Sequence, residues 1–164
     1  MRTAVFAGGC FWCITPVFAE HPGVLSVRCG YCGGREAAPS YEDVKGQRTG
    51  HRESLRIDYD ENAVSYEELL RLFLESVDPF DGEGQFIDRG RSYSPAVYYA
   101  DEAEHAAVRK ALSELEQRAG VPAAVAAEPL GPFYEAEEHH QDYYKKNPDA
   151  FAEELRISGR LKRR

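Results

Sequence analysis

The tightest constraint on the fold is the order in which two hydrophobic periodicities alternate along the chain. Residues 3–7 form a short apolar run that stops at Gly8-Gly9, as a buried strand bounded by a turn does. Residues 11–20 follow as a short helix, closed by His21-Pro22-Gly23. Residues 24–31 are β-branched and apolar enough for a second strand. Beyond a loop over 33–40, residues 51–59 alternate, with Leu55, Ile57 and Tyr59 on one face and Ser54, Arg56 and Asp58 on the other. That alternation predicts a half-buried strand. Ser65-Tyr66-Glu67-Glu68 has the form of a capping box, and the helix behind it offers Leu69, Leu72 and Phe73 as its buried face. Residues 95–99 predict a fourth strand, 101–117 a helix carrying Val108, Leu112 and Leu115, and 124–128 a further strand. The succession β-α-β-β-α-β is the ferredoxin-like split pattern. The expected fold is therefore α/β (α+β), a two-layer sandwich with a C-terminal extension.

A chain of 164 residues suits one domain over 1–164 and can bury a real core. The formal charge of -8 excludes a nucleic-acid binder, because phosphate backbones demand a basic surface. The run Arg160-Leu161-Lys162-Arg163-Arg164 is short, so residues 156–164 are expected to be a solvated basic tail. No targeting or membrane segment is visible, and a cytoplasmic address is expected. Thiols in that compartment are kept reduced, so the four cysteines read as catalytic, redox-active or metal-binding before they read as staples. The polar, Gly-rich stretch 78–92 is long for a structureless loop, and such loops are usually functional.

Gly8-Gly9-Cys10-Phe11-Trp12-Cys13 lies between the first strand and the first helix. That placement puts Cys10 at a helix N-terminus, where free amides and the helix dipole favour a thiolate. Cys13 is within one turn, close enough for a disulfide. Taken singly, each residue of this region also has a plainer reading. Glu53 on an alternating strand is ordinarily a solvent-facing carboxylate, Tyr41 and Tyr93 half-buried aromatics, and Asp88 before Gly90 turn chemistry. The adjacent His139 and His140 point apart on a helix, which favours a surface or supporting role over a metal site.

The joint pattern is more specific. Gly-Cys-Phe-Trp after a short apolar strand resembles the signature of the A-type peptide methionine sulfoxide reductases. Four further blocks resemble that family in the same order: Ser40-Tyr41-Glu42-Asp43-Val44, Gly46 to Glu53 with its Thr49-Gly50-His51, Asp88 to Tyr93, and Gly131 to Tyr143. The resemblance implies roles. Cys10 is the nucleophile and becomes a sulfenic acid. Glu53 is the acid serving the sulfoxide oxygen, which requires an apolar setting to raise its pKa. Tyr41 and Tyr93 add phenolic donors to the same oxygen. Phe11 and Trp12 wall a pocket for the S-methyl group, and Asp88 anchors the substrate's backbone. The implied substrate is methionine S-sulfoxide, free or in proteins, and thioredoxin is the implied reductant; a monomer is expected. No cofactor and no metal are expected.

Cys29-Gly30-Tyr31-Cys32 departs from the family pattern, which has Gly-Tyr-x-Gly-Gly here. Many members place the resolving cysteine in a C-terminal tail, and this chain has none after Cys32. Some relatives with the Cys-Phe-Trp-Cys form carry a cysteine where Ile87 stands. Cys13, Cys29 and Cys32 are thus all candidates to resolve Cys10. The spacing Cys-x2-Cys-x15-Cys-x2-Cys also suits a structural zinc site made by Cys10, Cys13, Cys29 and Cys32, the signature of a binding module. A dithiol-disulfide oxidoreductase built on Cys10 and Cys13 is the third reading.

Overall fold

The first strand, β1 (Arg2–Ala7), lies in the middle of the sheet, and its side chains from Ala4 onward are buried. It leads through Gly8-Gly9 to α1 (Phe11–Ala19) and then to β2 (Val24–Cys32). A one-turn helix, α2 (Tyr41–Lys45), precedes β3 (Arg52–Tyr59), and α3 (Tyr66–Ser76) follows it. The 78–92 stretch holds a small hairpin, β4 (Gly84–Gln85) with β5 (Asp88–Arg89), and a 310 turn over Arg91–Tyr93. Next come β6 (Ala96–Tyr99), α4 (Glu102–Ala119), β7 (Ala126–Pro129) and β8 (Phe133–Glu135). Two helices end the described chain, α5 (Tyr143–Lys146) and α6 (Pro148–Ser158). The computed structural model describes residues 1–160.

The main sheet runs β7-β6-β1-β3-β2-β8. Its four central strands pair antiparallel, with β1 between β6 and β3 and β2 outside β3. This is the split arrangement expected from β-α-β-β-α-β, widened by β7, which joins β6 in parallel, and by β8, which joins β2. The helices α1 and α3 cover one face. There Phe6, Phe11, Ile14, Phe18, Leu55, Ile57, Leu69 and Phe73 share one buried cluster. A smaller cluster of Val5, Ala7, Cys32, Ala96 and Tyr98 lies on the other face. No methionine takes part, because the sequence has one, Met1, and it is 80% exposed.

The structure corrects several expectations. On α3 the buried residues are Tyr66, Leu69, Leu70 and Phe73, with Leu72 only partly covered. The Ser65 hydroxyl accepts the Glu68 amide at 3.1 Å, but the Glu68 side chain turns outward to Arg71. Arg156 to Ser158 belong to α6, and Arg160 is 5% exposed, so the expected solvated tail does not begin at residue 156. Residues 161–164 of that expected tail lie outside the described residues. No helix among the described residues is long and apolar enough to cross a membrane.

Candidate active site

The site is built where β1 turns into α1. Gly9 sits at φ +89°, and a Cβ there would meet an Arg160 guanidinium nitrogen at 2.5 Å and Gln85 Cβ at 2.7 Å. A Cβ on Gly8 would meet Val77 at 2.7 Å. Both positions are therefore closed to any other residue. The tight turn delivers Cys10 to the N-cap position of α1, where its side chain makes no capping hydrogen bond. Cys10 is 8% exposed and Cys13 is 2% exposed. Their thiols are hydrogen-bonded to each other, and the Cys13 amide donates to the Cys10 carbonyl at 3.0 Å.

β3 brings Glu53 beneath the first turn of α1. Glu53 is buried on the face that also carries Leu55 and Ile57, not exposed as an isolated strand carboxylate would be. Its Oε1 accepts the Phe11 amide at 3.2 Å; its Oε2 has no partner at full hydrogen-bond geometry among the described residues, with the Tyr93 phenol close enough to draw the carboxyl's pKa down. Burial pushes the Glu53 carboxyl up to about 8, against a smaller downward pull from the Phe11 amide. It is an acid that keeps its proton near neutral pH, with one oxygen left to offer it.

Burial also dominates the neighbouring groups. Cys10 is pushed well up by its hydrogen bond with Cys13, by burial and by the negative charges of Glu53 and Asp88. Cys13 is pulled down by its hydrogen bond from Cys10 and by the Arg160 guanidinium, although burial opposes them. The hydrogen bond with Cys13 and burial therefore oppose the pull of the helix N-terminus on the Cys10 thiol. The hydrogen bond that joins the two thiols thus raises Cys10 and lowers Cys13.

Tyr41 and Tyr93 close the site from two further elements. Both phenols are pushed up by burial and by the charges of Glu53, Cys10 and Asp88, so both remain donors. Tyr41 opens α2, whose N-terminus is fixed by a capping box between Ser40 and Asp43. Its amide donates to Glu137 Oε2 at 3.2 Å, while Tyr31 donates its hydroxyl to Glu137 Oε1 at 2.9 Å. Tyr93 ends the 310 turn, which Gln47 holds through Ser92 by bonds of 2.6 and 3.1 Å. Asp88, half-buried on β5, is raised chiefly by burial.

Phe11 and Trp12 form an aromatic wall with Tyr41, at centroid distances of 6.2 and 6.0 Å. Sequence reasoning missed two members of it. Tyr143 stacks on Trp12 at 4.1 Å. His140, treated as a surface or supporting residue, is buried and accepts the Trp12 indole N–H on Nδ1 at 3.2 Å. Burial lowers its pKa, which keeps it neutral in that role. The His140-Gln141-Asp142-Tyr143 block marked both residues, but nothing local told that they pack on Trp12.

The second cysteine pair is split by the sheet, with Cys29 Sγ 4.0 Å from the Phe11 carbonyl and Cys32 on the far face. Cys29 points to the helix face, near Thr15 Oγ at 3.3 Å, and burial pushes it up to about 12. Cys32 points to the opposite face of the sheet with Tyr98, and burial pushes it up to about 11. The four thiols are therefore not gathered as the zinc reading requires, and no group of three metal-ligating side chains is found among the described residues.

A family model described as peptide methionine sulfoxide reductase matches residues 2–164. The peptide methionine sulfoxide reductase MsrA of Streptococcus equi subsp. zooepidemicus is 43% identical over 159 residues, 96% of this chain and 94% of the relative. Among solved structures, Mxr1 from Saccharomyces cerevisiae in reduced form aligns with TM-score 0.85 and 28% identity, covering 90% of this chain and 86% of that one. The same yeast protein is also solved in complex with Trx2, where the likeness, at TM-score 0.59 and 19% identity over 87% of this chain and 84% of that one, speaks for the fold alone. Methionine sulfoxide reductase A of Corynebacterium diphtheriae aligns with TM-score 0.81 and 30% identity, over 90% of this chain and 75% of that one.

Proposed function

The chain belongs to the peptide methionine sulfoxide reductase family, and from that premise we propose that it reduces the S epimer of methionine sulfoxide through Cys10, with Glu53 as the acid. The observation that carries this reading is Glu53: a buried carboxyl, raised to about 8, with one oxygen short of a full hydrogen bond beneath the N-terminal cysteine of α1. Sulfoxide oxygen gathers negative charge as its bond to sulfur breaks, so it needs a proton donor in a dry site. Tyr41 and Tyr93 supply further hydrogen bonds to it. Phe11 and Trp12 hold the S-methyl group against aromatic faces, and Asp88 anchors the substrate backbone.

In the reductive half, the Cys10 sulfur attacks the substrate sulfur as Glu53 protonates the oxygen. The thiol proton released by Cys10 restores the Glu53 carboxyl. The oxygen then passes to Cys10 and methionine leaves as the thioether. The net change is thiol plus sulfoxide to sulfenic acid plus thioether; Cys10 loses two electrons and the substrate sulfur gains them. In the recycling half, Cys13 attacks the Cys10 sulfenic acid. The S–S bond forms, the S–O bond breaks, and the hydroxide leaves as water after protonation. Cys13 is chosen because it already touches Cys10, whereas Cys32 lies across the sheet and Cys29 packs against Thr15. An external dithiol, thioredoxin, then resets the pair. We assign this chemistry to a single domain that acts as a cytoplasmic monomer.

The test is turnover of racemic N-blocked methionine sulfoxide with dithiothreitol, followed by chiral chromatography, with Cys10→Ser alongside. Loss of only the S epimer, abolished in the variant, is the expected result. A folded protein that turns over neither epimer overturns the reading.

A further inference from the structure

β1 leaves the sheet to make the Gly8-Gly9 turn, and at that end β3 and β6 have no strand between them. The β1–β3 ladder ends at Phe6 and Leu55, and the β1–β6 ladder at Ala7 and Ala96. Arg52, the first residue of β3, and Ser94, just ahead of β6, lie beyond those last pairs. The Arg52 side chain crosses the gap. Its Nε donates to Ser94 Oγ at 2.8 Å. Its Nη1 donates to the Tyr98 hydroxyl at 2.9 Å and to Glu128 Oε2 at 3.1 Å.

The donors and acceptors here leave little choice of side chain. Ser94 gives its own hydroxyl proton to the Arg91 carbonyl at 2.7 Å, and Tyr98 gives its own to the Cys32 carbonyl at 3.2 Å. Both hydroxyls can therefore only accept from residue 52, and Arg52, Ser94 and Tyr98 are all buried. A guanidinium meets the demand: it holds N–H groups on a rigid fork, has no acceptor, and brings a permanent charge to Glu128.

The bond to Ser94 bears on the residue before it. The Ser94 hydroxyl closes the 310 turn Arg91–Tyr93 back on Arg91. On the other side of Tyr93, Gln47 holds Ser92. Tyr93 is thus clamped through both chain neighbours. Successive strand side chains point to opposite faces, so Glu53 and Arg52 act from the two sides of the sheet.

We propose that Arg52 is a positioning residue for sulfoxide reduction: from the far face of the sheet it fixes Ser94, and with it the phenol that Tyr93 presents beside Glu53. The inference rests on the role given above to Tyr93. It gives β3 two tasks at adjacent residues, the acid on one face and the anchor of its companion phenol on the other.

A hydrogen bond to the sulfoxide oxygen strengthens as charge gathers there, so its loss slows the chemical step and leaves substrate binding alone. Displacement of a group by about 1 Å can cost about a hundredfold. Because Arg52 acts through Tyr93, its replacement costs no more than removal of the phenol. Lysine keeps a cation for Glu128 but has no nitrogen where Nε meets Ser94. Arg52→Lys is expected to slow methionine release about five- to fiftyfold. In a Tyr93→Phe background the same change should cost less than about twofold.

The experiment is a double-mutant cycle on the full chain. Reduced wild type, Arg52→Lys, Tyr93→Phe and the double variant are mixed with N-blocked methionine sulfoxide without reductant, and single-turnover methionine release is followed over a range of substrate concentrations. Ser94→Ala, which leaves the Arg52–Glu128 pair in place, is carried through the same cycle and decides alone if Arg52→Lys does not fold. A slower rate at saturating substrate, with half-saturation unchanged, that disappears once Tyr93 is replaced supports the proposal. Equal slowing in both backgrounds, or no slowing in a folded variant, overturns it and leaves Arg52 a structural brace. A wild type that releases no methionine refutes the sulfoxide reading itself. Release that Tyr93→Phe leaves unchanged refutes the role of Tyr93, and this proposal with it.

Discussion

Replacing Glu53 by Gln should change how stability depends on pH, and the size of the change follows from burial. The carboxyl titrates at about 8 in the folded chain against 4.5 for an ordinary glutamate. Its folded pKa is raised, so the folded state binds more protons than the unfolded state between those values. Stability therefore falls as pH rises through that window, and levels off above it. At about 1.36 kcal/mol per unit, this one group withdraws about 3 kcal/mol between pH 5 and pH 8. Gln cannot ionise, and its side-chain oxygen can keep the Phe11 amide bond that Glu53 Oε1 accepts at 3.2 Å. Its amide donors change absolute stability by a separate, pH-independent amount, so the quantity to measure is the slope. Urea denaturation of both proteins from pH 5 to pH 8 should show the variant gaining about 3 kcal/mol on wild type across that range. Parallel pH profiles would refute the claim that Glu53 is folded as a neutral acid, and the proton-donor role would fall with it.

Turnover in wild type should decline as pH rises through about 8, where Glu53 loses its proton; a pH-rate profile still rising above that point contradicts the acid role. Tyr93→Phe, which removes a phenol beside Glu53, should lower kcat/KM roughly ten- to hundredfold with little change in melting temperature, as steady-state assays and calorimetry would register. Gly9→Ala should destabilise by about 1–3 kcal/mol, because it forces a side chain into φ +89° and against Arg160; an unaltered denaturation midpoint would argue against that crowding. Cys29→Ala with Cys32→Ala together should still recycle with thioredoxin, and an enzyme stopped after one turnover would return the resolving role to that pair.

Alternation and turn residues made most of this fold legible. β1, β2 and β3 carry strong period-two or continuous apolar runs, and the order of elements sets the split sheet. Less was legible where few residues decide the outcome. The helix α2 is one turn long, and its Ser40-x-x-Asp43 cap was the available signal. On α3, a stripe centred on Leu70 rather than Leu72 differs by a small rotation of the helix, which packing against α1 and β1 settles. Strand parity could have parted the second cysteine pair: Cys29 and Cys32 are an odd number of residues apart on β2, so they must face opposite sides of the sheet. The catalytic cluster itself was marked by five blocks of resemblance, each meagre alone. The raised Glu53 depends on which face of β3 the sheet buries, and the alternation of Leu55 and Ile57 already pointed there. Arg160 was unreadable, because its burial is decided by contacts with Gly8 and Ser76 that leave no mark on its neighbours in sequence.

The absence of methionine from the interior has a consequence for a protein that meets oxidants by vocation. Conversion of a core methionine to its sulfoxide places a polar, chiral group where an apolar chain had packed, and loosens the structure around it. Here that lesion has nowhere to strike but the exposed Met1. Branched aliphatics and phenyl rings fill the space that thioethers occupy in other cores. An oxidant dose that softens proteins through their core methionines therefore finds only cysteine sulfur to attack in this interior.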